Sequence, residues 1–223
     1  MKLKIVHILT EPDVKREYES IKSISPLGAY DGFEYLPQIN QRYVGDAWKE
    51  IPAITQSEYT NHGPGHYGAF KSFKKAIENN FTDDIDGLIL CECDCILQST
   101  HAEFVLKVEE GLDFIAANNI AYLSFGSMFV DGVRQSPVIG LDQNHPDFII
   151  TNKIILAHCI LIPKRSRELV LGALAAFSWD SPDIWFNEAF WRMNENNFGI
   201  IKTPLAIQHE GFSLIDNIWK SSM

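Results

Sequence analysis

The sequence predicts an α/β fold: a mixed, mostly parallel central sheet flanked by helices. Three observations carry that prediction. Short apolar runs rich in β-branched residues alternate with helix-period segments through the first half of the chain. Hydrophobic residues make up 46% and charged residues 22%, which supports a packed core and argues against disorder. The 223 residues suit one domain of this kind, so 1–223 is read as a single unit.

Residues 3–9, LKIVHIL, have the length and branching of a buried strand. Thr10-Glu11-Pro12-Asp13 then opens a helix over about 13–23, with Thr10 as N-cap, Pro12 early in the helix and Asp13 at its positive end. FEYLPQI, 33–39, reads as a second strand, and Pro37 places it at a sheet edge or a strand end. Residues 40–65 read as loop, closing in NHGPG. Tyr67, Phe70, Phe73, Lys74 and Ile77 keep helical spacing and predict a helix over 66–79, stopped by Asn79-Asn80. A strand at 86–91, a helix at 102–118 and a strand at 120–125 follow. Polar, Gly- and Pro-rich sequence fills 131–147, before strands at 148–151 and 157–163. Helices are expected at 165–177 and 182–196, then a strand at 199–204 and a tail without regular structure.

Bulk properties narrow the function. A net charge of −10 repels phosphate backbones and argues against nucleic acid as a partner. No window approaches the ~18 apolar residues of a membrane span. The N-terminal apolar run is cut by Glu11-Pro12-Asp13 before a signal sequence could form. Cysteines 91, 93, 95 and 159 are too closely placed for a disulfide framework, so a reducing cytoplasm is the expected compartment.

Ligands of α/β sheets bind beyond the carboxyl ends of strands. Weight therefore falls on Thr10-Glu11, on Glu92-Cys93-Asp94 and on the loop 126–147. The segment DGLILCECDCILQ, 86–98, is the most informative, because an apolar run ends in two carboxylates among three thiols. One reading is zinc held by Cys91, Cys93 and Cys95 with His101 or His158, although C-x-C spacing spreads sulfurs along an extended strand. A second is a hard divalent cation, Mg²⁺ or Mn²⁺, held by Glu92 and Asp94 projecting to one side. The cysteines would then pack as small buried hydrophobes. A third is a solvated strand end, which fits poorly with carboxylates flanked by core residues.

The order of these parts resembles the nucleotide-sugar-dependent glycosyltransferases of the GT-A fold. ILTEPD (8–13), LCECDCIL (90–97) and IQHEGFSLID (207–216) correspond to that family's first strand end, its acidic D-x-D motif and its C-terminal histidine. Glu92 replaces the first aspartate and reaches one methylene further. The resemblance implies a GT-A-like domain, with a nucleotide-sugar half over about 1–100 and an acceptor half over about 101–223. It implies Asp94 as direct metal ligand, with Glu92 at the ribose or metal-bound water and His209 as the C-terminal ligand. A histidine among oxygen ligands tilts the preference from Mg²⁺ towards Mn²⁺.

Thr10, Glu11, Glu92 and Cys93 would border the nucleotide. In NHGPGHYGAFKSFKK, 61–75, His62, His66 and Lys71 flank a Gly-rich turn and a helix start, where backbone N–H groups and a cation meet phosphate; no P-loop signature is present. The implied reaction moves a sugar from a nucleotide diphosphate donor, a UDP-sugar first, to a glycan, lipid-linked or protein hydroxyl. An inverting enzyme needs a base for the acceptor proton. Asp183, at the start of a late helix, is the choice, ahead of Asp180 and Glu188; helix capping alone also favours aspartate there. Trp179 or Trp185 would stack on the acceptor, and 131–147 would form a lid. A sugar nucleotidyltransferase is the alternative enzyme, but TEPDVKRE lacks the glycine-rich loop expected after the first strand. A zinc-binding interaction module is the non-enzymatic alternative.

Overall fold

The structure is a computed structural model that describes residues 1–10, 14–40, 64–126, 145–151, 158–176, 185–186, 198–208, 211–213 and 218–220. Its elements run β1 (Leu3–Thr10), α1 (Val14–Ile24), a 3₁₀ turn (Ser25–Ala29), β2 (Phe33–Asn40), α2 (Pro64–Asn80), β3 (Gly87–Glu92), β4 (Cys95–Leu97), α3 (His101–Asn118) and β5 (Leu123–Ser124). They continue with β6 (Phe148–Thr151), β7 (Cys159–Pro163), a 3₁₀ turn (Lys164–Ser166), α4 (Arg167–Ala176), β8 (Phe198–Ile201), β9 (Ala206–Gln208), β10 (Gly211–Ser213) and β11 (Ile218–Lys220).

Seven strands form one sheet in the order β2-β1-β3-β7-β5-β8-β6. β2 is an edge strand, as Pro37 requires, since a residue without an N–H cannot serve a central ladder. The sheet is mixed, but less parallel than strand–helix alternation suggests. Its neighbour pairs divide into three parallel (β1–β2, β1–β3, β5–β8) and three antiparallel (β3–β7, β5–β7, β6–β8). Two of the antiparallel pairs come from β7, which enters the middle of the sheet against β3 and β5, and the third from the edge strand β6.

Central strands are buried on both faces, so their residues alternate between two cores. Val6, Ile8, Leu88, Leu90, Ile160 and Ile162 face α2 and α4, where Phe73, Ile77, Val170 and Leu174 pack. Leu3, Ile5, Ile89, Cys91, Cys159 and Leu161 face the other way, onto Ile24, Leu27 and the Phe104, Val108 and Ile115 stripe of α3. Each fully buried aliphatic side chain contributes roughly 1.5–3 kcal/mol relative to exposure. α3 begins where Thr100 accepts the N–H of Glu103 at 3.2 Å and ends at Asn119 in the left-handed region, φ 54°. Its Gly111 is required by close packing, because a Cβ there would lie 2.5 Å from Leu123 Cδ2.

Four strands were not expected from the sequence as separate elements. β4 follows β3 after a turn and pairs antiparallel with β9, which lies in the supposedly irregular tail. β10 and β11 form a second small ladder. Conversely, the strand expected at 120–125 contracts to Leu123–Ser124.

Candidate functional site

The carboxyl ends of β1 and β3 lie side by side. The strands are parallel, Ile8 is the register partner of Glu92, and β1 runs on to Thr10. β3 stops at Glu92, the chain turns at Cys93-Asp94, and β4 starts at Cys95. β4 then leaves the main sheet and pairs with β9, Cys95 with Gln208, Ile96 with Ile207 and Leu97 with Ala206. This ladder explains why the sequence becomes apolar again after its acidic pair.

The turn sorts residues 91–95 by chemistry. Cys91 and Cys95 are fully buried, Asp94 is 4% exposed, and Glu92 and Cys93 are half-buried. The turn is tighter than the extended segment expected from the sequence. A carboxylate as deep as Asp94 is held by charge or hydrogen-bond partners. Two carboxylates one residue apart at a strand end form an oxygen-donor pair of the kind a hard divalent cation accepts. On donor chemistry, Asp94 and Glu92 fit such an ion.

The sulfurs group differently from the expected trio. Cys91, Cys95 and Cys159 have their Sγ atoms within 4.8 Å of one another, with Cys91 and Cys159 at 3.9 Å across the β3–β7 pair. Cys93 stays out because it sits in the turn. The hydrogen bonds of the Cys159 and Cys95 thiols hold Cys91 well below the ordinary thiol range. The same contact with Cys91 pushes Cys159 well up. Cys95 is likewise raised, by Cys159 ahead of Cys91. The two histidines offered as alternatives for a fourth zinc ligand each have Nε2 on a backbone carbonyl. His101 Nε2 meets the Ser23 carbonyl at 2.7 Å and His158 Nε2 the Ala206 carbonyl at 3.2 Å. Burial lowers His158 to about 4, so its ring is neutral and its Nε2 carries the donated proton. Gly126 lies against this ring; a Cβ there would be 2.1 Å from Nε2.

Thr10 is tied to α1 by another route: its N–H and its hydroxyl both donate to one oxygen of the buried Glu17, at 2.8 and 2.5 Å, while residues 11–13, whose N–H groups a Thr10 cap would serve, lie outside the described residues. Lys71 is exposed on α2, its Nζ 5.8 Å from the Tyr67 ring centroid. His66 is in α2 by its backbone, and its side chain lies outside the described residues, as do Glu11, His62, Asp180, Asp183, Glu188, His209, Trp179 and positions 131–144 of the expected lid. Trp185 does not serve as a sugar platform: it is 3% exposed and packs on Phe70 and Phe186, ring centroids 5.6 and 5.2 Å away.

One buried polar network beside the site was not anticipated. Ser20 Oγ donates to the Cys95 carbonyl at 2.6 Å, which uses its only proton. His7 Nε2, 2.9 Å from Ser20 Oγ, must therefore be the donor of that pair. Its Nδ1 then accepts from the Tyr35 hydroxyl at 3.0 Å. Burial lowers His7 and pushes Tyr35 up to about 12, so the first stays neutral and the second keeps its proton. The chain Tyr35–His7–Ser20–Cys95 ties β2, β1 and α1 to the start of β4. A histidine inside LKIVHIL was the sequence signal for it.

No protein-family model and no curated protein matches this sequence. Solved structures do match its shape. A glycosyltransferase involved in the glycosylation of the major capsid of PBCV-1 superposes with a TM-score of 0.51 at 11% identity, over 96% of this chain and 95% of that one. The fold is the α/β fold of GT-A glycosyltransferases. Protein A197 from STIV matches with a TM-score of 0.46 at 12% identity, covering 100% of this chain and 96% of that one. The Drosophila β1,4-galactosyltransferase 7, a mutant in complex with manganese, UDP-Gal and xylobiose, matches with a TM-score of 0.49 at 7% identity, covering 93% and 70%. Among the described residues no helix is long and apolar enough to cross a membrane.

Proposed function

We propose that this chain is a metal-dependent glycosyltransferase, moving a sugar from a nucleotide diphosphate donor, a UDP-sugar first, to a hydroxyl on a glycan, lipid-linked or protein acceptor. The observation that carries the reading is the buried carboxylate of Asp94 in a tight turn at the carboxyl end of β3, beside the end of β1. Open α/β sheets bind ligands at such strand ends. The shared fold with a capsid-glycosylating enzyme supports it.

Asp94 would ligate Mn²⁺ or Mg²⁺ directly, Glu92 would hold it through metal-bound water or reach the ribose, and His209 would be the C-terminal ligand. The β4–β9 ladder supports that choice: its last pair is Cys95 with Gln208, and the next residues in sequence are Asp94 and His209. When bound, the cation neutralises charge on the diphosphate leaving group. Thr10, Glu11, His66, Lys71 and Cys93 are assigned to the nucleotide and its phosphates, and Asp183 to taking the acceptor proton. Residues 1–100 then form the donor half and 101–223 the acceptor half of one domain.

A thermal-shift panel of nucleotide diphosphate sugars with and without Mn²⁺ tests the proposal. A true donor raises Tm in proportion to its occupancy. The expected result is stabilisation by one nucleotide class, UDP-sugars foremost, only when Mn²⁺ or Mg²⁺ is present. Equal Tm values across the panel, with no donor hydrolysis, would sink it.

A further inference from the structure

We infer that Cys91, Cys95 and Cys159 form a buried three-sulfur site for a soft, thiophilic cation, Cu⁺ or Zn²⁺. This goes beyond the proposed sugar transfer and does not depend on it. The three Sγ atoms lie within 4.8 Å of one another, and all three residues are free thiols with no solvent exposure. They come from three strands. β3 and β7 place Cys91 opposite Cys159 as register partners, and the turn at Cys93-Asp94 with the β4–β9 ladder delivers Cys95.

The spacing suits a metal polyhedron. A metal–sulfur bond of about 2.3 Å sets sulfurs about 3.8 Å apart in a tetrahedral shell and about 4.0 Å apart in a trigonal plane. Cys91 and Cys159 stand at 3.9 Å already. The other pairs, within 4.8 Å, need to close by no more than about 1 Å, a side-chain adjustment.

Donor type selects the ion. The group contains no oxygen ligand and no solvent access, which excludes hydrated hard cations such as Mg²⁺ and Mn²⁺. Thiolates choose Cu⁺ and Zn²⁺. Each thiol that ligates releases its proton to solvent. Zn²⁺ favours a fourth ligand, and the one nearby in sequence is His158, whose buried Nδ1 has no hydrogen-bond partner among the described residues. That ring is outside the sulfur group and is committed through Nε2 to Ala206. The three-sulfur shell therefore suits Cu⁺ as it stands.

The test uses the full chain, reduced, stripped of metal and kept anaerobic. Cu⁺ is titrated against a colorimetric Cu⁺ chelator, and Zn²⁺ in parallel against a Zn²⁺ indicator. The expected result is one ion per chain, a new thiolate-to-metal absorption with Cu⁺, and a rise in Tm. Cys159→Ser should weaken binding by roughly 100-fold or more, whereas Cys93→Ser should leave it within about twofold. Should Cys159→Ser fail to fold, Cys95→Ala makes the same comparison. Should both fail, the wild-type stoichiometry together with Cys93→Ser decides. A chain that retains neither ion, or whose binding follows Cys93 instead of Cys159, overturns the inference.

Discussion

Residues 91–95 present two donor sets that differ in every respect that matters for metal chemistry. The oxygen side, Glu92 and Asp94, lies at the carboxyl end of β3 beside the end of β1. The sulfur side, Cys91 and Cys95, belongs to the core beneath α3 and meets Cys159 from a neighbouring strand. Carboxylates and thiols are neighbours in sequence, yet a single turn sends them to different places. The lesson is that residue type alone could not assign this stretch. The backbone reversal at Cys93-Asp94 decides which atoms can meet.

The contrast predicts that changes on the oxygen side cost activity and changes on the sulfur side cost stability. The largest effect expected is at Asp94. Asp94→Asn keeps the side chain's shape and removes its charge, so donor hydrolysis in Mn²⁺ should fall by about 100-fold or more with little change in ligand-free Tm. Glu92→Gln should lose less, about tenfold, because Glu92 is half-buried and assigned to ribose or metal-bound water. Steady-state assays with donor alone check both, and full activity in Asp94→Asn would break the contrast.

On the buried side, Ser20→Ala removes the donor to the Cys95 carbonyl and the acceptor for His7 Nε2. Leaving those groups unpaired should cost about 1–3 kcal/mol in urea unfolding, with catalysis per folded molecule unchanged. A smaller effect is set by pH. Burial lowers both His7 and His158, the latter to about 4 from 6.5, so in acid the unfolded chain takes up protons before the folded one does. Stability is then complete above the ordinary value of 6.5 and is lost as pH falls from there towards the lowered folded values. For His158 the slope should approach about 1.4 kcal/mol per pH unit between 6.5 and about 4, with His7 adding in the same direction, read as Tm against pH on metal-free protein. A flat profile from pH 7 to 5 would contradict the neutral tautomers on which the Tyr35–His7–Ser20 chain rests.

Much of this architecture was legible because it rests on local pattern. β-branched runs at 3–9 and 148–151, the edge-strand proline at 37 and the Asn79-Asn80 helix stop fall where the structure places them. What was hidden depends on long-range pairing. Nothing local in AHCILIP announces that β7 runs against β3, so the parallel share was overestimated. Nothing in CIL or AIQ, three residues each, announces a ladder between them. The sulfur trio was hidden for the same reason: Cys93 is nearer in sequence, but Cys159 is nearer in space. Trp185 looked like a sugar platform because aromatics at helical spacing serve cores and ligands alike, and its contacts with Phe70 and Phe186 decide for the core.

The pairing of β4 with β9 joins residues 95–97 to 206–208, stretches far apart in sequence. Loop closure over that distance is entropically slow, and it must wait until the later stretch has left the ribosome. Maturation of the acidic turn therefore waits for the emergence of β9. A nascent chain can collapse around β1–β3 while the corner at Cys93-Asp94 is still half-built.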